Sequence, residues 1–439
     1  MPGEVRSPSN LDDGSIYRRL VRNFAYLGTG TIASAMFMML ALVLSARALS
    51  PAAFGVLILF QSATLMVAAF MSFATQQPIL KLGATALADG DKARLGRIIG
   101  LGLLLDALAA LAAAIGSFAF LALAGPWLAI ELEQWQNAAP FAASLLFSGY
   151  LTANGIFRLL DRFGLLSLIQ AGCAAALLGA MACLTATRAP FGAYCWTWAI
   201  FYVLNSQLPL IAALHLARRA RIPVALHLGR MKPGEVRTFL AYCWTTWGMA
   251  SIEAIRINGD SLLVGAAVSI EAAGAYNVAK QLAGVLRKFN AVYASAAFPE
   301  ISAMSAHGEE DGARRIRRRI LRLSAALGTI AVVAALLLGR PALRLLFGVH
   351  FESAWMPLVI LTGAAAAQLV SHTLSMYVQV AIGPKHLFHL YVLALLPFLI
   401  AVVPLTWALT TTGTALAQLL FALLLIFHCQ RALGARDAQ

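Results

Sequence analysis

Apolar runs long enough to cross a hydrocarbon core of roughly 30 Å, at about 1.5 Å per residue, recur along the whole chain. Short polar, basic or Gly/Pro breaks separate them, as at Gly55, Pro78, Gly125-Pro126 and Gly383-Pro384. The pattern predicts twelve spans. The first six lie near 24–44, 55–77, 98–124, 138–157, 164–186 and 192–216. The second six lie near 239–268, 273–298, 319–339, 354–382, 386–408 and 411–431. The short alternating segments of a membrane β-barrel are absent, so the fold class is all-α integral membrane.

Composition agrees with this reading. The chain is 60% hydrophobic and 12% charged, with a mean hydropathy of +0.78. Its net charge of +14 invites a nucleic-acid reading, but the distribution of charge argues against one. Cations crowd the even-numbered loops and the termini, in groups such as Arg18, Arg19 and Arg22, then Lys92, Arg94 and Arg97, then Arg218, Arg219 and Arg221. The run "ARRIRRRILRL" (Ala313 to Leu323) is the densest, and reads as a topology anchor. The odd-numbered loops carry only Arg47, Arg188, Arg340 and Arg344. By the positive-inside rule both termini are expected in the cytoplasm. The first span reads as retained, because no small-residue cleavage site follows it.

An internal echo divides the chain. Between spans one and two, Ala48, Ser50, Ala53 and Gly55 match Ala267, Ser269, Ala272 and Gly274 between spans seven and eight, at an offset of 219. A second echo relates "GPWLAIELEQWQNAAP" (Gly125 to Pro140) to "GRPALRLLFGVHFESAWMP" (Gly339 to Pro357). The expected organisation is a cytoplasmic arm 1–22, a six-helix bundle 23–216, a linker 217–238, a second six-helix bundle 239–433 and a tail 434–439. Six is even, so the halves enter the membrane alike and should be related by a pseudo-twofold along its normal.

Ionisable residues inside spans are the candidate chemistry. A charge at the bilayer centre costs about 2.5–3.5 kcal/mol on insertion scales, so such groups face an interior or a wet cavity. Span seven carries Glu253, Arg256 and Asp260, which at 100° per residue fall within about 60° of one another. Span eight carries Lys280, Arg287 and Lys288. A hairpin turning near Ile270 sets Asp260 level with Lys280, and Glu253 level with Arg287. The cluster holds more bases than acids, which suits an anionic ligand. In the first half Asp106 stands alone in span three, either as a protonatable coupling site or as a hydrogen-bonded acid near the cytoplasmic end. His372 and His428 read as packing residues.

Other chemistries lack their motifs. No GxxxxGK[ST], HExxH or GxSxG is present, and the five cysteines are scattered without a CxxC pair. No cofactor, metal site or enzymatic activity is expected. A membrane polymerase or ligase would need a sizeable outer loop, and the loop with Arg340, Arg344 and His350 is short.

With those residues in place the chain resembles bacterial polysaccharide-transport flippases. These form the oligosaccharide-lipid branch of the multidrug/oligosaccharidyl-lipid/polysaccharide exporter superfamily. The likeness rests on Arg47 and Phe54-Gly55 around the first loop, on Asp260, Gly274, Tyr276 and Phe298-Pro299, and on "LRLLFGVHFESAWMPLVIL". It implies a V-shaped pair of bundles around a central cleft in the bacterial inner membrane. It also implies alternating access of a polyprenyl-diphosphate-linked oligosaccharide for surface polysaccharide, whether O-antigen, capsule or exopolysaccharide. The expected ligands of the diphosphate are Arg256, Arg287, Lys280 and Lys288. The expected coupling or switch residues are Asp260, Glu253 and Asp106, for H⁺ or Na⁺. Membrane lipids and other polysaccharide-assembly proteins are the further expected partners. A relative exporting a peptidoglycan precursor or a drug is the alternative.

Overall fold

The computed structural model describes residues 13–125, 135–149, 151–224, 233–287 and 310–437. It is almost wholly helical. The first half holds α1 (Asp13–Ala48), α2 (Pro51–Met71), α3 (Gln76–Ala88), α4 (Lys92–Ala124), α5 (Trp135–Ser144), α6 (Leu151–Leu159), α7 (Phe163–Ala186) and α8 (Phe191–Arg219). The second half holds α9 (Pro233–Ala254), a wide π turn Ile255–Gly259, α10 (Asp260–Ala267), α11 (270–287), α12 (Glu310–Phe347), α13 (Trp355–Ala381) and α14 (Pro384–Asp437). Among the described residues, eight helices are long and apolar enough to cross a membrane. The protein is a helical membrane protein.

Several expected spans are built differently from the apolar pattern. The second ends at Met71, and the stretch expected as a loop after Pro78 is helix α3, whose Ile79 and Ala86 are buried against the first half. The fourth is broken: α5 gives way to a short 3-10 turn at Leu145–Phe147, and α6 starts afresh at Leu151. The seventh is interrupted by the π turn. The last two spans share α14, which leaves helical geometry at Thr410 (φ 55°, ψ −136°). Beyond that break the chain doubles back. The rings of Phe398 and Phe421 lie 6.0 Å apart, although a straight helix would separate them by roughly 35 Å.

Both inter-span loops of the sequence echo use one cap. The Ser50 hydroxyl accepts the Ala53 amide at 3.2 Å, and the Ser269 hydroxyl accepts the Ala272 amide at 3.1 Å. Serine satisfies an orphan N–H at the start of a helix, and Pro51 adds a preset φ at the first helical position.

One apolar core joins the halves at the end bearing these loops. It includes Phe54, Leu57, Leu59, Tyr276, Leu343 and Phe351. Gly55 is required there, because a Cβ would stand 2.1 Å from the Ile270 carbonyl oxygen. At Gly274 a Cβ would meet the Gly55 Cα at 3.2 Å, so the two equivalent glycines face each other. Arg47 fastens the same end, donating from Nε to the Leu346 carbonyl at 2.7 Å and from Nη2 to that of Leu345. A guanidinium on the last carbonyls of α12 complements that helix end. At the opposite end, Arg94 pairs with Glu235 at 2.8 Å, and Phe239 and Cys243 of α9 join the core of the first half.

Candidate functional site

The second-half cluster begins with the π turn. An i→i+5 turn takes up about one residue more than an α turn, so the phase of the helix lags by roughly 100°. It also frees carbonyls that side chains must satisfy. Lys280 from α11 donates to the Ile257 carbonyl at 2.6 Å. Gln418 from α14 donates to the Arg256 carbonyl.

The ionisable residues then sort into two pairs. Lys280 Nζ donates to Asp260 Oδ1 at 2.8 Å and to the Ser261 hydroxyl. The other carboxylate oxygen of Asp260 accepts from the Tyr276 hydroxyl at 3.0 Å and from Gln418 Nε2 at 3.1 Å. Arg256 grips Glu253 with two donors, Nε to Oε2 at 3.0 Å and Nη2 to Oε1, and donates from Nη1 to Gln418 Oε1. Its guanidinium also stands 5.2 Å from the centre of the Phe421 ring. Burial is nearly complete at Arg256 (2% exposed), Asp260 (3%) and Lys280 (6%). Such charges are tolerated away from water because each is paired and hydrogen-bonded.

The single-face arrangement expected for Glu253, Arg256 and Asp260 is altered by the phase lag of the π turn. Asp260 lines a narrow space with Lys280 and Gln418, and Glu253 lines a separate cavity of about 230 Å³. Asp260 meets Lys280, the residue set level with it by the hairpin arithmetic. Glu253 is taken by Arg256 rather than by Arg287. Arg287 lines both spaces, and among the described residues it makes no ion pair. With two pairs neutralised, it carries the excess positive charge among the described residues of the cluster. Lys288 lies outside the described residues.

Four side chains here were not singled out as site residues by sequence reasoning. Gln418 links the two pairs, and Tyr276 completes the shell of Asp260. His372 and Tyr391 line the 230 Å³ cavity with Glu253 and Arg287. His372 was expected in packing. For Gln418 a signal existed: it is a lone amide in a long aliphatic run.

The first half is organised around Asp106, which is 5% exposed. Its Oδ1 accepts from the Thr75 hydroxyl at 2.7 Å, and its Oδ2 accepts from the Thr152 amide at 2.8 Å. Thr75 stands at the N-cap position of α3 with its hydroxyl given to Asp106 instead of to the helix, and Thr152 lies in the first turn of α6. Two helix N-termini therefore converge on one carboxylate, where their dipoles favour negative charge. The broken backbone at Ser72, Ala74, Ser148 and Gly149 lines an adjoining cavity of about 570 Å³. Irregular backbone at membrane depth is tolerated where it borders such a space. Asp106 thus sits in a shell of neutral donors and makes no ion pair among the described residues.

The arrangement of the helices is shared with known membrane transporters. An inward-facing multidrug resistance MATE family transporter of the MOP superfamily superposes with a TM-score of 0.72 at 12% identity, over 94% of this chain and 99% of that one. The lipid II flippase MurJ, in an inward closed conformation, gives 0.71 at 12% identity, over 93% of this chain and 87% of that one. Residues 110–359 match the family described as "Polysaccharide biosynthesis protein", and the chain belongs to that family. The inner membrane protein YghQ of Escherichia coli (strain K12) is 24% identical over 351 residues, which are 78% of this chain and 96% of the relative.

Proposed function

We propose that the protein is a flippase that carries a polyprenyl-diphosphate-linked oligosaccharide across the bacterial inner membrane by alternating access. In this reading twelve spans form two six-helix bundles related by a pseudo-twofold, with both termini cytoplasmic. The shared serine caps and the facing glycines support that symmetry. The family membership supports a polysaccharide precursor as cargo.

One observation carries the site assignment. Arg287 faces a cavity beside two neutralised pairs and, among the described residues, has no counter-ion. A partly buried cation with no described partner is disfavoured, and a diphosphate would supply an anion with oxygens suited to a guanidinium fork. Arg256 joins it when Glu253 releases the Arg256 guanidinium, so Glu253 acts as the internal competitor of the substrate. Lys280 holds Asp260 and α11 in place, and Lys288, next in sequence to Arg287, is a further candidate ligand. Asp260, Glu253 and Asp106 remain the candidates for a coupled H⁺ or Na⁺.

The test is flipping of a fluorescent polyprenyl-diphospho-sugar in proteoliposomes. Arg287→Ala should abolish flipping while the thermal transition stays near that of the wild type, since the substitution breaks no ion pair among the described residues. Full flipping by Arg287→Ala and Arg256→Ala combined would overturn the site.

A further inference from the structure

The π turn has two working faces. Arg256 points into the ionic cluster, and Asn258, two residues on, lines the 570 Å³ cavity of the first half. Residues two apart on a helix lie on opposite sides. The helix that holds the charged site is therefore also a wall of the neutral one.

That cavity has a distinct chemistry. Its polar lining comes from amides and hydroxyls, among them Thr64, Gln77, Asn205, Thr246 and Asn258. No Lys or Arg occurs among its described lining residues, and its one acid, Asp106, already has both oxygens engaged. The rings of Phe201 and Tyr202 form one side. Thr64 is 1% exposed, and its hydroxyl has no hydrogen-bond partner among the described residues. A buried hydroxyl without a partner is unusual and needs a reason. The volume lies within the range of small-molecule sites, roughly 300–1,000 Å³.

We infer that this cavity seats the glycan of the lipid-linked substrate, and that it selects an uncharged glycan. The inference rests on the diphosphate reading of the neighbouring cluster. Sugar hydroxyls donate and accept, as the amide and hydroxyl lining requires. The apolar face of a sugar ring suits the face of a single aromatic ring, and Phe201 and Tyr202 both line the cavity. A uronic acid or an acidic peptide would be desolvated there with no counter-ion, which binding sites disfavour. The occupant is thereby narrowed to neutral hexoses, deoxyhexoses or their N-acetylated forms.

Three probes separate the two readings, measured by equilibrium binding to the full-length protein in nanodiscs. They are farnesyl diphosphate, farnesyl diphosphate bearing a neutral disaccharide, and the same with one uronic acid. The neutral-glycan probe should bind about tenfold tighter than the sugar-free one, the scale of one or two neutral hydrogen bonds. The uronic-acid probe should gain nothing. Thr64→Val with Asn205→Leu should remove the neutral-glycan advantage, and Gln77→Leu should reduce it if that double variant does not fold. Equal wild-type affinities for the first two probes, both weakened by Arg287→Ala, would overturn this inference and leave the diphosphate site standing. Tightest binding of the uronic-acid probe would overturn the selection for neutrality. An advantage for the neutral probe that persists while Arg287→Ala weakens nothing would support the glycan seat and sink the diphosphate site.

Discussion

The two halves solve one problem in opposite ways. Each holds polar groups at membrane depth, where water cannot satisfy them. The first half breaks its helices and turns the freed backbone toward Asp106 and a cavity. The second half keeps its helices, widens one turn, and neutralises charge with charge through Lys280–Asp260 and Arg256–Glu253. A broken helix offers directional neutral donors and acceptors, whereas a tight ionic cluster offers fixed charge. The difference teaches that polar groups among apolar helices can be satisfied either by freed backbone or by opposite charge.

This contrast can be broken most sharply at Asp260. Asp260→Asn leaves Lys280 buried without its carboxylate, and should destabilise the protein by about 3–5 kcal/mol. Replacing both partners, Asp260→Leu with Lys280→Met, should recover most of that loss. Thermal unfolding in detergent measures both, and single and double variants of equal stability would deny that the second half depends on paired charge. A smaller effect is expected in the first half. Asp106→Ala orphans the Thr152 amide and the Thr75 hydroxyl, which should cost about 1–3 kcal/mol. Hydrogen exchange should localise that loss to the starts of α3 and α6, whereas a loss spread over the whole half would mean that the carboxylate does more than cap. The smallest effect belongs to the seam. Arg47→Ala removes a solvent-exposed contact to two carbonyls, so its cost should stay below about 1 kcal/mol. It should still raise the labelling rate of a cysteine placed near Phe351, and an unchanged rate would show that the latch does not hold that end shut.

Much of this was legible in the sequence, and what was missed has physical causes. The apolar runs marked the membrane segments, and the break between 408 and 411 anticipated the reversal at Thr410. Hairpin counting set Asp260 against Lys280, because both lie close to the turn where small errors in helix phase have not accumulated. Glu253 was assigned toward Arg287 because counting at 100° per residue cannot see a π turn, and that turn displaces everything on one side of it. The broken fourth span was hidden for a different reason. The restarted helix gives its Thr152 amide to Asp106, 46 residues away in sequence, and no local pattern records a distant partner. Helix α3 could have been found from Ile79, Leu82 and Ala86, whose spacing is helical, but Lys81 drew the stretch into a loop.

The facing glycines carry a last consequence. Under the proposed pseudo-twofold, equivalent residues can touch only on the axis, so the contact between Gly55 and Gly274 is made once. Any other contact across the seam should come twice, one on each flank. Arg47 has no such twin. At the offset of 219 its counterpart is Ala266, which has no side-chain donor. The seam is therefore buttoned on one flank and merely pressed together on the other. When it parts, it should peel from the Ala266 side, and the first passage to open should be lopsided rather than central.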